Sequence, residues 1–146
     1  MHKVNIKLLN EKAILPSYGS EHSAGADLYA CLDEPATIGP GETFMVHTGI
    51  AMEIPEGYVG LIFARSGLAS KKGLAPANKV GVIDSDYRGE FMVPLYNHSK
   101  IPQTIEQGER IAQMIMVPYI TASWNVADEL SETGRGDKGF GSTGLK

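Results

Sequence analysis

Residues 81–90, which read GVIDSDYRGE, combine a carboxylate and an aromatic ring at a spacing that suits chemistry. The apolar run Val80 to Ile83 leads into Asp84, and Tyr87 follows three residues later. A carboxylate placed there could hold a water or a hydroxyl group, and the ring could offer a flat face to a ligand. Asp is also a common turn former, so this stretch taken alone favours a structural role for Asp84 and Asp86.

The C-terminal segment 131–146, SETGRGDKGFGSTGLK, is the second informative stretch. Its glycines, Gly141 among them, free the backbone to wrap closely around a ligand. The segment also offers cations, hydroxyl groups and one aromatic ring: Arg135, Lys138, Ser142, Thr143 and Phe140. These residues favour a lid over a phosphorylated ligand that carries a flat ring. The alternative is a disordered linker, which is common for glycine-rich termini.

A third feature is the run Arg65-Ser66-Gly67 at the start of a predicted helix. We predict that Ser66 caps this helix and that Gly73 ends it. Free N–H groups at a helix start bind anions, and an arginine fork suits phosphate. A capping serine beside an exposed arginine explains the same residues equally well.

Gln113 lies inside an otherwise apolar strand, GERIAQMIM, residues 108–116. A buried amide needs hydrogen-bond partners, so we expect its side chain either to bond to backbone or to reach into a site. The residues alone slightly favour the backbone bond.

The composition excludes several classes of function. The 146 residues fit one domain, and a net charge of −4 disfavours binding to DNA or to an anionic membrane. The single cysteine, Cys31, permits no internal disulfide and is expected in the core, and no histidine stands at metal-ligand spacing from another. The chain has neither a signal-peptide pattern nor an apolar run that could span a bilayer. A cytoplasmic protein is expected.

Frequent glycines and prolines between short β-prone runs predict an all-β sandwich, jelly roll or barrel. The alternation of Val4, Ile6 and Leu8 predicts a half-buried strand, and residues 80–93 predict a hairpin. Val117-Pro118 suggests a strand edge or bulge. The predicted strands also include 26–32, two within 44–54, 58–64, 79–84, 90–97, 101–106 and 110–120, with loops at 16–23 and 35–42. We predict a β domain over residues 1–130 and a mobile glycine-rich arm over 131–146.

Five stretches, in this order, resemble the motifs of the trimeric deoxyuridine triphosphatase (dUTPase) family. They cover most of the chain, and their joint presence is highly specific. The motifs are AGADLYA (24–30), ARSGLAS (64–70), GVIDSDYRGE (81–90), GERIAQMIM (108–116) and RGDKGFGSTG (135–144).

The resemblance implies a jelly-roll subunit and a homotrimer with active sites at subunit junctions. It implies hydrolysis of dUTP to dUMP and pyrophosphate, which keeps uracil out of DNA and supplies dUMP for dTMP synthesis. Mg²⁺ would be held mainly by the triphosphate, with Asp27 in its outer shell.

The resemblance also implies a role for each site residue. Asp84 would activate the attacking water and bond the 3′-hydroxyl, and Tyr87 would pack under the deoxyribose and exclude a 2′-hydroxyl. Asn78 and the backbone of 78–89 would read the uracil edge. The residues implied for phosphate binding are Arg65, Ser66, Gly67, Gln113 and, from the tail, Arg135, Ser142 and Thr143. Phe140 would stack on uracil, and Gly141 is implied as a further substrate-binding residue.

The chain departs from the usual family pattern at three positions. Ala64 stands where proline is frequent, Lys72 where histidine is common, and Lys138 where glycine is frequent. None of the three is a residue to which the resemblance assigns chemistry.

Two other functions are compatible with parts of this pattern. A dCTP deaminase of the same fold would release ammonia and would need a differently placed glutamate. A non-catalytic relative could bind a nucleotide or a protein as a regulator, but the intact Asp84 and tail favour the hydrolase.

Overall fold

The structure, a computed structural model, describes residues 3–139. Within that range the chain forms twelve short strands and one helix, α1 (Ser66–Lys72). The strands are β1 (Asn5–Leu8), β2 (Ser17–Tyr18), β3 (Ala26–Tyr29), β4 (Ala36–Ile38), β5 (Thr43–His47), β6 (Ile50–Glu53), β7 (Tyr58–Phe63), β8 (Leu74–Pro76), β9 (Gly81–Ile83), β10 (Met92–Asn97), β11 (Gln103–Ile105) and β12 (Arg110–Pro118).

Antiparallel pairing joins these strands into a jelly-roll β fold, as predicted. The largest sheet has the order β2-β3-β12-β7-β9, and a second sheet has the order β5-β10-β8. Two further pairs, β1 with β6 and β4 with β11, complete the pairing of the described residues. Neighbours in space are mostly distant in sequence, which is the mark of a jelly roll.

The core consists mainly of leucine, isoleucine, valine and alanine side chains, with two methionines, Cys31 and one aromatic ring. Alternation along β10 shows the pattern, because Val93 and Leu95 are buried while Met92 is exposed. The largest fully buried side chains are Phe91, Leu28, Ile38, Ile50, Leu74, Leu95, Ile105, Ile111, Val46, Val93, Asn97 and Thr48. Cys31 is buried with a free thiol, as expected for a small core residue.

The helix occupies the predicted residues, but its cap differs from the prediction. Arg65 is the N-cap residue, with no capping side-chain hydrogen bond among the described residues, and Ser66 is already helical. Gly73 ends the helix in the left-handed region (φ 66°), as predicted. No helix within residues 3–139 is long and apolar enough to cross a membrane.

The predicted hairpin over residues 80–93 is wrong. β9 pairs with β7 in the large sheet, whereas β10 pairs with β5 and β8 in the other sheet. Residues 84–91 therefore form a loop that carries the chain between sheets. The local turn signal is real, but it does not determine which strand a returning strand will join.

Further comparisons between prediction and structure concern two predicted loops and the residues at the ends of β1 and β12. The predicted loops at 16–23 and 35–42 each contain a strand, β2 and β4, held by pairing to strands distant in sequence. Leu8, expected on the buried face of β1, is 49% exposed. The expectation for Val117-Pro118 is confirmed, because that end of β12 pairs only with β7 and not with β3.

Candidate functional site

Two cavities contain the predicted site residues that the structure describes, apart from Arg135. The first, of about 400 Å³, lies beside the start of α1, and residues of the paired strands β3 and β12 contribute to its lining. We call it the arginine pocket; it brings together the predicted residues Asp27, Arg65, Ser66, Gly67 and Gln113 with Gly25 and Arg110.

Asp27 is the electrostatic centre of the arginine pocket. Its Oδ1 accepts a hydrogen bond of 2.7 Å from Arg65 Nε, and its Oδ2 accepts one of 3.3 Å from Arg110 Nη1. The Asp27 side chain is 11% exposed, whereas those of Arg65 and Arg110 are 27% and 51% exposed. Two guanidinium groups against one carboxylate leave one net positive charge beside the cavity, which favours an anionic ligand.

The sequence did not predict Arg110 as a site residue, because its orientation depends on a β-bulge. Gln113 pairs with Asp27, and simple alternation would turn Arg110 to the opposite face of β12. The register shifts between Arg110 and Ala112, so the strand has one extra residue there. A bulge re-aims side chains, and Arg110 thereby reaches Asp27. The motif at residues 108–116 includes Arg110, but its sequence does not predict the bulge.

Gln113 satisfies both expectations made for its amide. Its Nε2 donates to the backbone oxygen of Ala64 at 3.0 Å, and the side chain lines the arginine pocket. A Cβ atom at Gly25 would lie only 2.8 Å from Gln113 Oε1. Gly25 is therefore required for the amide to occupy this place. Ala64 takes part through its carbonyl group, so its own side chain is not needed for the contact.

Ser66 and Gly67 form the rim of the arginine pocket. Both are exposed in the first turn of α1, where N–H groups have no intrahelical acceptor. Lys72, at the other end of the helix, ties it to the body of the protein through Glu109 Oε1 at 2.7 Å and the Thr104 backbone oxygen at 3.0 Å.

The second cavity, of about 300 Å³, contains the other predicted group. We call it the carboxylate pocket; its lining includes Asn78, Asp84 and Tyr87 together with Val82, Ile83, Glu90, Met45, Met92 and Pro94. Asp84 follows the last residue of β9 and is exposed. Its carboxylate has no hydrogen-bond or ion-pair partner among residues 3–139, so it is available to a water or a ligand hydroxyl.

Tyr87 is held in one orientation at the wall of the carboxylate pocket. Its hydroxyl group donates to the backbone oxygen of Glu90 at 3.0 Å, and its ring centroid lies 6.2 Å from that of buried Phe91. A Cβ atom at Gly89 would overlap the hydroxyl oxygen, so only glycine allows the ring to fold back this closely. The ring is 40% exposed.

The two pockets of one chain lie at opposite ends of the paired strands β7 and β9. Ile83 pairs with Gly60, so Asp84 follows beside the start of β7, whereas Arg65 follows its end. The five residues from Gly60 to Arg65 correspond to roughly 16 Å at about 3.3 Å per residue. Asp84 and Arg65 of the same chain therefore do not face one small reacting group.

Of the C-terminal residues predicted for the site, the structure describes Arg135. Arg135 lies in neither pocket; its Nε donates to the Lys138 backbone oxygen at 2.8 Å, in a turn where Gly136 has φ 57°. Phe140, Gly141, Ser142 and Thr143 lie outside the described residues.

The described residues contain no group of three His, Cys, Asp or Glu side chains that could hold a metal ion. Mg²⁺ commonly keeps several waters and binds through one or two carboxylates plus substrate phosphates. Asp27 fits that limited part, because it lines the arginine pocket and its Oδ1 accepts one hydrogen bond among the described residues, from Arg65 Nε.

Comparison with known proteins agrees with this geometry. The dUTPase family model matches residues 11–144. A deoxyuridine 5′-triphosphate nucleotidohydrolase of Desulfitobacterium hafniense is 53% identical over 132 residues, covering 90% of this chain and 87% of that protein. One of Burkholderia cenocepacia is 46% identical, covering 97% and 98%.

Solved structures agree as well. The dUTPase of Staphylococcus bacteriophage 80alpha with dUPNHPP matches with a TM-score of 0.89 at 32% identity, covering 99% of this chain and all of that one. A mutant dUTPase of phage phi11 of S. aureus, described as coordinating a structural Mg(II) ion, has a TM-score of 0.81 at 27% identity and covers 90% of this chain. The chain belongs to the dUTPase family, an enzyme family of dUTP diphosphatases, as its five motifs predicted.

Proposed function

We propose that this chain hydrolyses dUTP to dUMP and pyrophosphate at an active site assembled where copies of the chain meet. The single observation that carries the proposal is the division of chemistry between the pockets: one has cations for a polyphosphate, and the other has a free carboxylate beside a ring. Removal of dUTP would keep uracil out of DNA, and its product would supply dTMP synthesis.

The arginine pocket would bind the triphosphate. Arg65 and Arg110 offer guanidinium donors, and Ser66, Gly67 and Gln113 add uncharged donors at its edge. Mg²⁺ carried by the triphosphate would neutralise charge that develops on the phosphates. Asp27 would hold a water of that ion while orienting both arginines.

The carboxylate pocket would bind the nucleoside. Asp84 would take a proton from the attacking water, whose oxygen forms a bond to the α-phosphorus while the bond to pyrophosphate breaks. Its other oxygen would bond the 3′-hydroxyl group. Tyr87 would lie against the deoxyribose where a 2′-hydroxyl would clash, and Asn78 with the backbone of 78–89 would read uracil.

A second copy of the chain is required to complete this site. A base must lie within hydrogen-bond reach of the water it activates, and roughly 16 Å of strand separates Arg65 from Asp84 in one chain. The surface of the carboxylate pocket also suits a partner, since Val82 and Met45 are 62% and 46% exposed there. The resemblance to the family supports an assembly of three copies.

The segment after β12 supports the same assembly. It has no helix or strand between residues 119 and 139, and its apolar side chains point into solvent. Ile120, Trp124 and Val126 are 94%, 91% and 97% exposed. Apolar surface of this extent favours burial against another copy. The arm over residues 131–146 would then close on a bound nucleotide with Arg135, Phe140, Gly141, Ser142 and Thr143.

Product analysis tests the proposal. The pure protein is incubated with Mg²⁺ and dUTP, with UTP and dCTP in parallel reactions, and the products are separated. We expect dUMP and pyrophosphate from dUTP and little product from UTP or dCTP. No product from dUTP would contradict the proposal, and ammonia released from dCTP would assign the chain to deamination.

A further inference from the structure

The side chain of Glu90 joins the loop of the carboxylate pocket to a turn in the other sheet. Its Oε1 accepts a hydrogen bond of 2.8 Å from the Gly49 backbone N–H, and its Oε2 lies 2.9 Å from His47 Nδ1. His47 ends β5, and Gly49 lies between β5 and β6. The Glu90 side chain is 23% exposed. Both carboxylate oxygens are therefore anchored to one turn.

The backbone of the same residue supports Tyr87. The Glu90 carbonyl oxygen accepts the hydrogen bond of the Tyr87 hydroxyl group at 3.0 Å. The next residue, Phe91, is fully buried and bonds through its N–H to the Ile50 oxygen at 2.9 Å and through its oxygen to the Thr48 hydroxyl group. Residue 90 thus links the connection between β5 and β6 to the aromatic wall.

We infer that Glu90 is a positioning residue for Tyr87 and determines how strictly the site distinguishes deoxyribose from ribose. This inference rests on the proposed function, in which the Tyr87 ring is the sugar wall. A wall excludes one hydroxyl group only if it does not yield, and positioning within about 0.5 Å requires support behind the contact residue. Glu90 supplies that support through Gly49 and His47.

The ionic character of Glu90 is not required for this role. In Glu90→Gln, the amide oxygen can still accept from the Gly49 N–H, and the amide nitrogen can donate to a neutral His47 ring. Glu90→Ala removes both anchors. The pair of variants therefore separates the anchoring contacts from the charge.

The experiment compares the dissociation constants of dUDP and UDP for wild type, Glu90→Ala, Glu90→Gln and Tyr87→Phe by calorimetry. We expect wild type to bind dUDP more tightly than UDP. In Glu90→Ala the ratio of the UDP to the dUDP dissociation constant should fall about tenfold, which corresponds to about 1.4 kcal/mol of lost anchoring. Glu90→Gln should retain most of it. Tyr87→Phe should lose preference too, and adding Glu90→Ala to it should cause little further loss.

Several results would overturn the inference. An unchanged ratio in folded Glu90→Ala would assign Glu90 a purely structural role, visible only as a lower melting temperature. A wild type without preference for dUDP would leave nothing to position. If Glu90→Ala does not fold, His47→Ala removes one anchor, and about a twofold to fivefold loss of preference is expected; no loss would overturn the inference. Hydrolysis of dUTP by wild type, measured in parallel, tests the proposed function separately.

Discussion

Arg65 and Asp84 stand at opposite ends of the paired strands β7 and β9, although the proposed reaction requires both. The register that pairs Ile83 with Gly60 fixes this separation. Under the proposed function, the cations of one copy would therefore meet the carboxylate of another copy.

Asp84→Asn should reduce turnover of dUTP by about 10² to 10⁴, the usual contribution of a general base. Binding of a non-hydrolysable dUTP analogue should largely survive, because the amide keeps the shape and one acceptor. Steady-state kinetics and calorimetry measure the two effects. Asp86→Asn is the matched control, since Asp86 is exposed in the same loop but does not line the carboxylate pocket. Near-normal turnover of Asp84→Asn would remove Asp84 as the base.

Truncation after Gly134 should collapse turnover while the fold stays intact. The deleted residues contain Arg135 and the other arm residues proposed to close on the nucleotide, and residues 131–138 make no buried contact with the body. Turnover and thermal unfolding are measured on the same preparation. A truncated protein that keeps full activity would refute the lid.

Gly49→Ala should destabilise the protein by about 2 to 5 kcal/mol. Gly49 has φ 67°, which costs an alanine about 1 to 2 kcal/mol, and its Cβ would lie 2.8 Å from Cys31 Sγ, which adds about 1 to 3 kcal/mol of overpacking. Gly57→Ala is the matched control. Gly57 also has a positive φ, 81°, but a Cβ atom added there would meet no atom within 4 Å outside its chain neighbours. Urea unfolding should show the smaller loss for Gly57→Ala; equal losses would contradict the overpacking.

Burial raises the pKa of the Cys31 thiol above its ordinary value of 9.0, and the carboxylates of Glu90 and Asp33 raise it further. A raised pKa in the folded state gives stability that is fully present below the ordinary value and is lost as pH rises through the folded value. The stability of wild type relative to Cys31→Ala should therefore be constant up to about pH 8 and fall above pH 9. Urea unfolding between pH 7 and 10 measures the difference; a constant difference would contradict a buried, shifted thiol.

The sequence predicted the strands whose signals are local. The run from Tyr58 to Phe63 is apolar and β-prone, and the stop signal at Gly73 ends the helix where expected. Gln113 was recognised because an amide inside an apolar strand must find partners. Asp27, Arg65 and Gln113, three of the residues to which the resemblance assigns roles, line one pocket.

Features set by distant pairing were missed. The loop 84–91 reads as a hairpin turn, but β9 finds its partner in β7 and β10 finds its partners in β5 and β8. The orientation of Arg110 toward Asp27 depends on a bulge in the pairing of β12 with β3, which the local sequence does not predict. The anchoring of Glu90 by His47 and Gly49 joins residues more than 40 positions apart.

The most direct test of a shared site mixes two inactive variants, Arg65→Ala and Asp84→Asn. Each is purified, and the two are unfolded together in equal amounts, refolded and assayed for dUMP and pyrophosphate from dUTP. If each site takes its arginine pocket from one copy and its carboxylate pocket from another, random assembly restores about one quarter of the wild-type sites. Activity near one quarter of wild type is the predicted result. Activity no greater than that of the separate variants would contradict a site shared between copies.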